Sequence, residues 1–439
     1  MKLECTPKKQ RVLLTLFHRS VIILYKIRVH SNWRRFFMEY ILRLSKKRVM
    51  NNQIETKRYL YDEIDTNNRL IGILGSRGIG KTTLMLQLIK EKYILSETIY
   101  ISLDHIFFFE NKLLAVVEKF YNRYGIKNFF LDEVHKYKNW EQEIKNIYDF
   151  YDDINIIFSG SSSININKGK YDLSRRCVTY YMYGLSFREF LNIKYNENYK
   201  VYDFYEMIEN YKEIAFELSE NDKILLDFQE YYKYGYYPIY FENNKSIRSK
   251  IINMYEKVIY EDIVELIKLN TENLIVLKKL IYFIATMQPG SININSLSNN
   301  LKKDNKTILH FIQNLEEAGL LNILSTEGVG GRLIRSPEKI YIENTSLYST
   351  INEEIGNKIN IGNLRELFVV NQSKNSKQKI RYSKKVGDFK INEFHFEIGG
   401  KNKGKKQIKD NIDESFIVKD DIIFAQDKII PLYIFGFLY

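Results

Sequence analysis

The segment Gly75-Ser76-Arg77-Gly78-Ile79-Gly80-Lys81-Thr82 constrains this chain more than any other. It matches G-x-x-x-x-G-K-[ST]. It lies between an apolar run predicted as a strand over 69–74 and a segment predicted as a helix over 81–93, the context that the pattern requires. Glycines at these places let the backbone curl until several N–H groups converge on phosphate oxygens, and the N-terminus of the following helix adds the positive end of its dipole. Lys81 then reaches the β- and γ-phosphates, and the Thr82 hydroxyl ligates Mg²⁺. The expected cradle is Gly75, Ser76, Arg77, Gly78, Ile79, Gly80, Lys81, Thr82 and Thr83, with ATP and Mg²⁺ as the cofactors it implies. The bland alternative is a Gly-rich turn capping a helix.

Beyond the loop, short apolar runs alternate with helical segments, the order of a parallel βαβ sheet rather than a bundle. Strands are expected over 98–103, 128–131 and 155–159, and helices over 112–124 and 140–151. The sheet is expected to end there. From Ser186 to about Phe283 the pattern is mainly helical, broken by an expected turn in the aromatic stretch 231–238, which holds Gly235 and Pro238. Phe129-Phe130-Leu131-Asp132-Glu133 is an apolar strand ending in two carboxylates about 50 residues after the loop. In a Walker B role Asp132 holds Mg²⁺ through its water shell and Glu133 is the catalytic base that polarises the attacking water. Ile156 to Ser162 ends in small hydroxyl residues. Ser159 is the first choice for a residue that senses the γ-phosphate and Ser161 the second, beside the plain reading of a strand-end turn.

Composition limits the partners. The 439 residues suit roughly three domains, and 45% apolar with 27% charged residues excludes a disordered chain or a coiled coil. Of the net charge of +12, residues 1–50 contribute thirteen Lys or Arg against two Glu, so the rest of the chain is nearly neutral. Whole-chain charge is therefore no argument that the folded body binds DNA, and only local clusters count. Two cysteines without metal-type spacing suit a reducing cytoplasm. No run approaches the ~18 apolar residues of a membrane span. A coherent helical pattern begins at Met38, so translation is expected to start there.

The order G-S-R-G-I-G-K-T-T, F-L-D-E-V-H-K-Y-K-N-W, F-S-G-S-S, L-S-R-R and G-L-S-F-R-E-F-L resembles a family of bacterial and archaeal AAA+-like ATPases. So do the later segments I-Y-I-E-N-T-S-L, G-N-L-R-E, G-D-F, F-E-I-G-G-K-N-K and P-L-Y-I-F-G-F-L-Y. The resemblance covers roughly residues 38–439. It implies an ASCE P-loop sheet, a winged helix and a C-terminal restriction-endonuclease-like domain. It also makes Arg176, with Arg175 beside it, a candidate arginine finger supplied by a neighbouring subunit, and so a homo-oligomer. The bland reading is two surface arginines in a loop.

Two further constellations carry chemistry. The segment 295–301, a turn over 302–304, and 305–318 read as a helix-turn-helix closed by Gly319. A strand over 320–324, a Gly-rich loop with Gly328, Gly330, Gly331, Arg332 and Arg335, and a strand over 339–343 suggest a wing. Lys302, Lys303, Asn305, Lys306 and Thr307 would face DNA, unless the winged helix only packs. Farther on, Glu366 lies in a helical stretch, and Asp388 and Glu397 punctuate strands over 386–389 and 393–398. With a nearby lysine this resembles the PD-(D/E)XK nuclease layout, in which carboxylates bind a divalent metal that activates water. It departs from that layout at Gly399, where E-x-K places its lysine. The nearest candidate is Lys401, within a cluster of five lysines at 401–409, and Gln407 matches the polar residue of the following helix.

The expected architecture is α/β: a basic extension over 1–50, a P-loop ATPase core over 51–190, a helical lid over 191–275, a winged helix over 276–345 and a nuclease-like α/β domain over 346–439. The function it supports is a cytoplasmic ATPase coupled to nucleic-acid binding or processing. The alternative is a nucleotide-dependent switch for a protein partner, with an inert tail.

Overall fold

Near-continuous apolar strands bury both faces, and such strands assemble into parallel sheets covered by helices. Here they are β1 (Leu70–Leu74), β2 (Thr98–Ser102), β3 (Asn128–Asp132) and β4 (Asn155–Gly160). The computed structural model describes residues 37–162, 173–242, 244–264, 271–289, 293–326, 339–383, 386–404 and 414–439. Residues 1–36, the Gly-rich loop of the expected wing with Arg332 and Arg335, and Gln407 with Lys405, Lys406 and Lys409 lie outside them. Two compact units emerge: the chain up to Ile54 with Met85–Phe158, and Glu55–Leu84 with Ser159–Tyr439.

In the first unit β2, β3 and β4 pair in parallel, Tyr100 opposite Phe130 and Phe130 opposite Ile157. The helix Trp140–Phe150 buries Trp140, Ile144 and Ile147, and the Trp140 ring lies 5.4 Å from that of Phe158. A helix over 37–50 covers the edge strand β2. Ser45 Oγ accepts the Tyr100 N–H at 2.8 Å, Phe37 stacks on Phe107, and the Arg48 guanidinium lies over the Tyr100 ring. An edge amide that would otherwise be unpaired is thereby satisfied.

The second unit corrects the expectation that the sheet stops at Ser159. A fifth strand, β5 (Val178–Tyr181), pairs in parallel with β1, Ile71 opposite Val178 and Leu74 opposite Tyr181. Only four residues long and partly exposed, β5 has neither the length nor the apolar run that marks the inner strands. The stretch 231–238 is also no simple turn. Tyr231–Gly235 forms a π-helical turn and Pro238–Phe241 a 3₁₀ turn. The buried Tyr231 hydroxyl donates to Leu185 O at 2.7 Å, so the aromatic rings anchor the segment in the core.

The helices Ile294–Leu301 and Asn305–Glu317 are joined by a three-residue turn. Asp304 caps the second by accepting Thr307 N–H at 2.9 Å. They precede the antiparallel pair β6 (Leu321–Leu324) and β7 (Lys339–Ile342). A second, mixed sheet follows the helix Ile361–Asn375: β8 (Ile380–Tyr382), β9 (Phe389–Ile391), β10 (Phe394–Gly399), β11 (Ser415–Lys419) and β12 (Ile429–Pro431). β8, β9 and β10 run antiparallel, and β10, β11 and β12 parallel. Among the described residues no helix is long and apolar enough to cross a membrane.

Glu343, just after β7, is buried. Its carboxylate accepts from Tyr236 Oη at 2.6 Å and from the Asn344 and Asn371 amides. Burial nevertheless pushes its pKa up to about 7, from 4.5. The folded state then holds a proton that the unfolded chain has released, so this contribution is full below about pH 4.5 and is lost as pH rises toward 7. Thermal unfolding from pH 4.5 to 7.5 should show Glu343→Gln gaining on the wild type as pH rises, by on the order of 2–3 kcal/mol.

Candidate nucleotide site and a second acidic cluster

Strand β1 ends in the loop 75–80, and the helix Lys81–Lys92 starts directly from it. Gly75 N donates to Gly160 O at 3.3 Å, fixing the loop's start to the end of β4. Gly78 has φ +77°, which favours glycine, and a Cβ there would lie 2.2 Å from Met254 Sδ, so any side chain would also have to displace Met254. Lys81 is buried, its ammonium donating to Gly75 O and Ser76 O at 2.8 Å each. The charge is thus folded into the loop's own mouth, within reach of whatever anion the loop amides accept. Thr82 and Thr83 occupy the helix's first turn, half-buried.

Strand β3 ends at Asp132, which is buried and accepts the Tyr100 hydroxyl at 2.5 Å. Burial and this carboxylate drive the Tyr100 phenol far above its ordinary range, so it remains a neutral donor. Glu133 follows, just past the end of β3, with φ +56°, a conformation that costs a non-glycine residue energy. It meets His135 Nε2 at 3.3 Å. Ser159, the first choice for a sensor, is fully buried in β4. Ser161 donates to Asp262 Oδ2 at 3.1 Å.

Arg175 and Arg176 lie in the turn before β5, Arg175 exposed and Arg176 half-buried. Because β5 runs parallel to β1, Arg176 sits at the amino end of that strand pair, whereas the loop leaves the carboxyl end. A five-residue strand separates them, roughly 15 Å.

Three residues given no role in the sequence analysis hold the loop. Arg58 is buried; its Nη1 donates to Ile79 O at 2.5 Å, its Nη2 to Tyr183 O and Gly184 O, and its Nε to Glu189 Oε1 at 3.0 Å. Glu189 also completes a capping box with Ser186. Asp262 forks onto Arg77, Oδ1 to Nη2 at 2.7 Å and Oδ2 to Nε at 3.1 Å. A lone arginine and acids distant in sequence gave no pattern to read. The capping signature at Ser186 and Glu189 was the one available signal.

In the C-terminal region Glu366, Asp388 and Glu397 do converge. Glu366 Oε2 accepts Lys339 Nζ at 2.9 Å and Tyr341 Oη at 2.5 Å, Asp388 Oδ2 accepts Ile398 N–H at 2.8 Å, and Glu397 is fully buried. Burial first, then the Glu366 and Glu397 charges, lifts Asp388 to about 6. The expected lysine is corrected: Lys401 is exposed, and Lys403, brought back by the turn after β10, is the cation paired with Glu397. Asp388 precedes β9 rather than lying in a strand over 386–389. Among the described residues, no group of three or more His, Cys, Asp or Glu side chains is arranged to hold a metal ion. In the helix-turn-helix, Lys303 pairs with Glu272 at 2.7 Å and Asn305 with Asn295.

Residues 67–191 match the family model described as an AAA domain, and residues 225–358 match a domain of unknown function. An uncharacterized protein of Methanocaldococcus jannaschii, MJ1637, is 28% identical over 311 residues, which span 67% of this chain and 64% of that protein. AMPPCP-bound DnaA from Aquifex aeolicus aligns at 17% identity and TM-score 0.23 over 62% of this chain and 86% of its own. PCH-2 of C. elegans aligns at 15% and 0.23 over 64% and 68%. A DNA polymerase III gamma subunit-related protein of Thermotoga maritima aligns at 13% and 0.22 over 75% and 98%. The AAA-domain match, on the same residues as the loop and the acidic strand, supports nucleotide binding.

Gly78→Val should lower the unfolding free energy by about 2 kcal/mol, combining a left-handed β-branched residue with the Met254 clash. In urea titrations, Met254→Ala in the same chain should recover only the steric share.

Proposed function

We propose that this chain is an ATPase whose loop 75–83 holds the triphosphate. The observation that carries the reading is the G-x-x-x-x-G-K-T loop issuing from a buried parallel strand with Lys81 turned into its mouth. Lys81 leaves the Gly75 and Ser76 carbonyls for the β- and γ-phosphates, and the loop amides take the rest of the charge. Thr82 and Asp132 offer the hard oxygen donors that suit Mg²⁺, which when bound neutralises charge on the phosphates. Glu133 takes the proton of the attacking water, and Ser159 serves as the polar group that senses the γ-phosphate. Arg176, at the far end of β1 and β5 from its own loop, acts on the loop of a second copy.

The reading extends to nucleic acid through the two helices 294–301 and 305–317 as a winged helix, and through Glu366, Asp388, Glu397 and Lys403 as a nuclease-like cluster in which Lys403 takes the role first given to Lys401. Support for this extension is the mixed sheet with three carboxylates and a lysine at one place. A second reading, a switch for a protein partner, is favoured by one observation: Lys303 and Asn305 of the helix-turn-helix are engaged within the chain. Filter binding to duplex DNA separates the two. Retention that falls steeply with salt supports the first, and no retention supports the second.

Calorimetry with ATP and Mg²⁺ should show binding by the wild type and none by Lys81→Ala. Glu133→Gln should bind ATP while losing at least about 100-fold in turnover; unaltered hydrolysis would remove Glu133 as the base. Arg176→Ala alone should be nearly inactive. Mixing it with Glu133→Gln should restore turnover, because one chain keeps the base and the other the arginine.

A further inference from the structure

The segment 225–358 reaches the nucleotide loop at three places. Met254, in the helix Ile247–Lys257, fills the space opposite Gly78. Ser162 Oγ donates to Ala318 O at 2.8 Å, and a Cβ on Gly319 would lie 2.9 Å from Ser76 Oγ, so the end of the second helix of the helix-turn-helix abuts the loop. The third contact is chemical rather than steric. Asp262, whose side chain is fully buried, closes the π-helical turn Val258–Asp262, and its carboxylate receives both Nε and Nη2 of Arg77 together with Ser161 Oγ. Glu261 adds a contact to the same Nη2 at 2.9 Å.

A buried forked ion pair is seldom net stabilising, since the desolvation of both charges offsets most of their attraction. What it does supply is geometry: a planar guanidinium matched to a planar carboxylate fixes direction as well as distance. Arg77 lies inside the phosphate loop, Ser161 lies at the end of β4, and one acid 185 residues away from Arg77 in sequence holds both. π-Turns of this kind recur at functional sites.

We propose that Asp262 is a positioning residue of the nucleotide site. It holds Arg77 and Ser161 so that the loop amides stand ready for phosphate before the nucleotide arrives, and it makes the segment 225–358 a working part of that site. A loop ordered in advance does not lose its freedom on binding, so its affinity is higher than that of a loop ordered by the ligand.

The inference rests on the nucleotide reading above, and the experiment keeps the two apart. A fluorescent ATP analogue with Mg²⁺ is titrated into the full chain, into Asp262→Asn and Arg77→Ala, and into their combination, alongside steady-state ATP turnover. Each single change should weaken binding about five- to tenfold, and the combination should be no weaker than the poorer single variant. The loss should fall on KM rather than on turnover at saturation. Unchanged or tighter binding by Asp262→Asn, or losses that multiply in the combination, would overturn the proposal. Wild-type protein that binds no analogue sinks the nucleotide reading itself. Arg77→Lys keeps the charge on a partly exposed side chain but loses the fork, which covers the case of an Asp262 variant that does not fold. It should lose nearly as much affinity as Arg77→Ala, and wild-type affinity would overturn the proposal equally.

Discussion

The buried pair of Arg58 and Glu189 is the interaction on which the nucleotide loop depends. Its guanidinium donates to the Ile79 carbonyl within the loop and to the Tyr183 and Gly184 carbonyls beyond β5, while Glu189 caps its own helix. Carbonyls at such turns have no strand partner, and a buried acceptor left alone costs about 1–3 kcal/mol. One arginine satisfies three of them. Its own charge is balanced by a carboxylate that also accepts the Tyr59 and Ser186 amides. Removing either partner from a buried pair costs about 3–5 kcal/mol because the other charge is stranded, so the loop's shape and the capping box stand or fall together.

The C-terminal cluster is arranged on a different principle. Three carboxylates share a partly dry site, and two lysines from separate segments, Lys339 and Lys403, answer two of them directly. Asp388 is left with a backbone amide, and its raised pKa follows from burial beside the other two acids. The ammonium groups seated on Glu366 and Glu397 therefore set the charge balance of the cluster.

Much of the sheet was legible because its inner strands are unbroken apolar runs and its helices begin and end on recognisable residues. The strand expected over 98–103 is Thr98–Ser102, and the helix expected over 112–124 is Leu113–Tyr124. The fifth strand escaped because Val178–Tyr181 is short, half wet and preceded by two arginines, which read as loop. Arg58 and Asp262 were unreadable for another reason. Their partners lie 131 and 185 residues away, and no local pattern encodes a contact of that separation. Lys401 is the nearest lysine in sequence to the vacant E-x-K position, whereas the chain turns at 400–402 and brings Lys403 onto Glu397.

The parallel pairing of β5 with β1 gives the second unit a head and a tail. Its phosphate loop opens at one end of the strand pair and its paired arginines sit at the other. Two copies lying side by side with their strands opposed about a twofold axis would bring each loop against the other's arginines, and a head-to-tail repeat would do the same at every junction of a ring or filament.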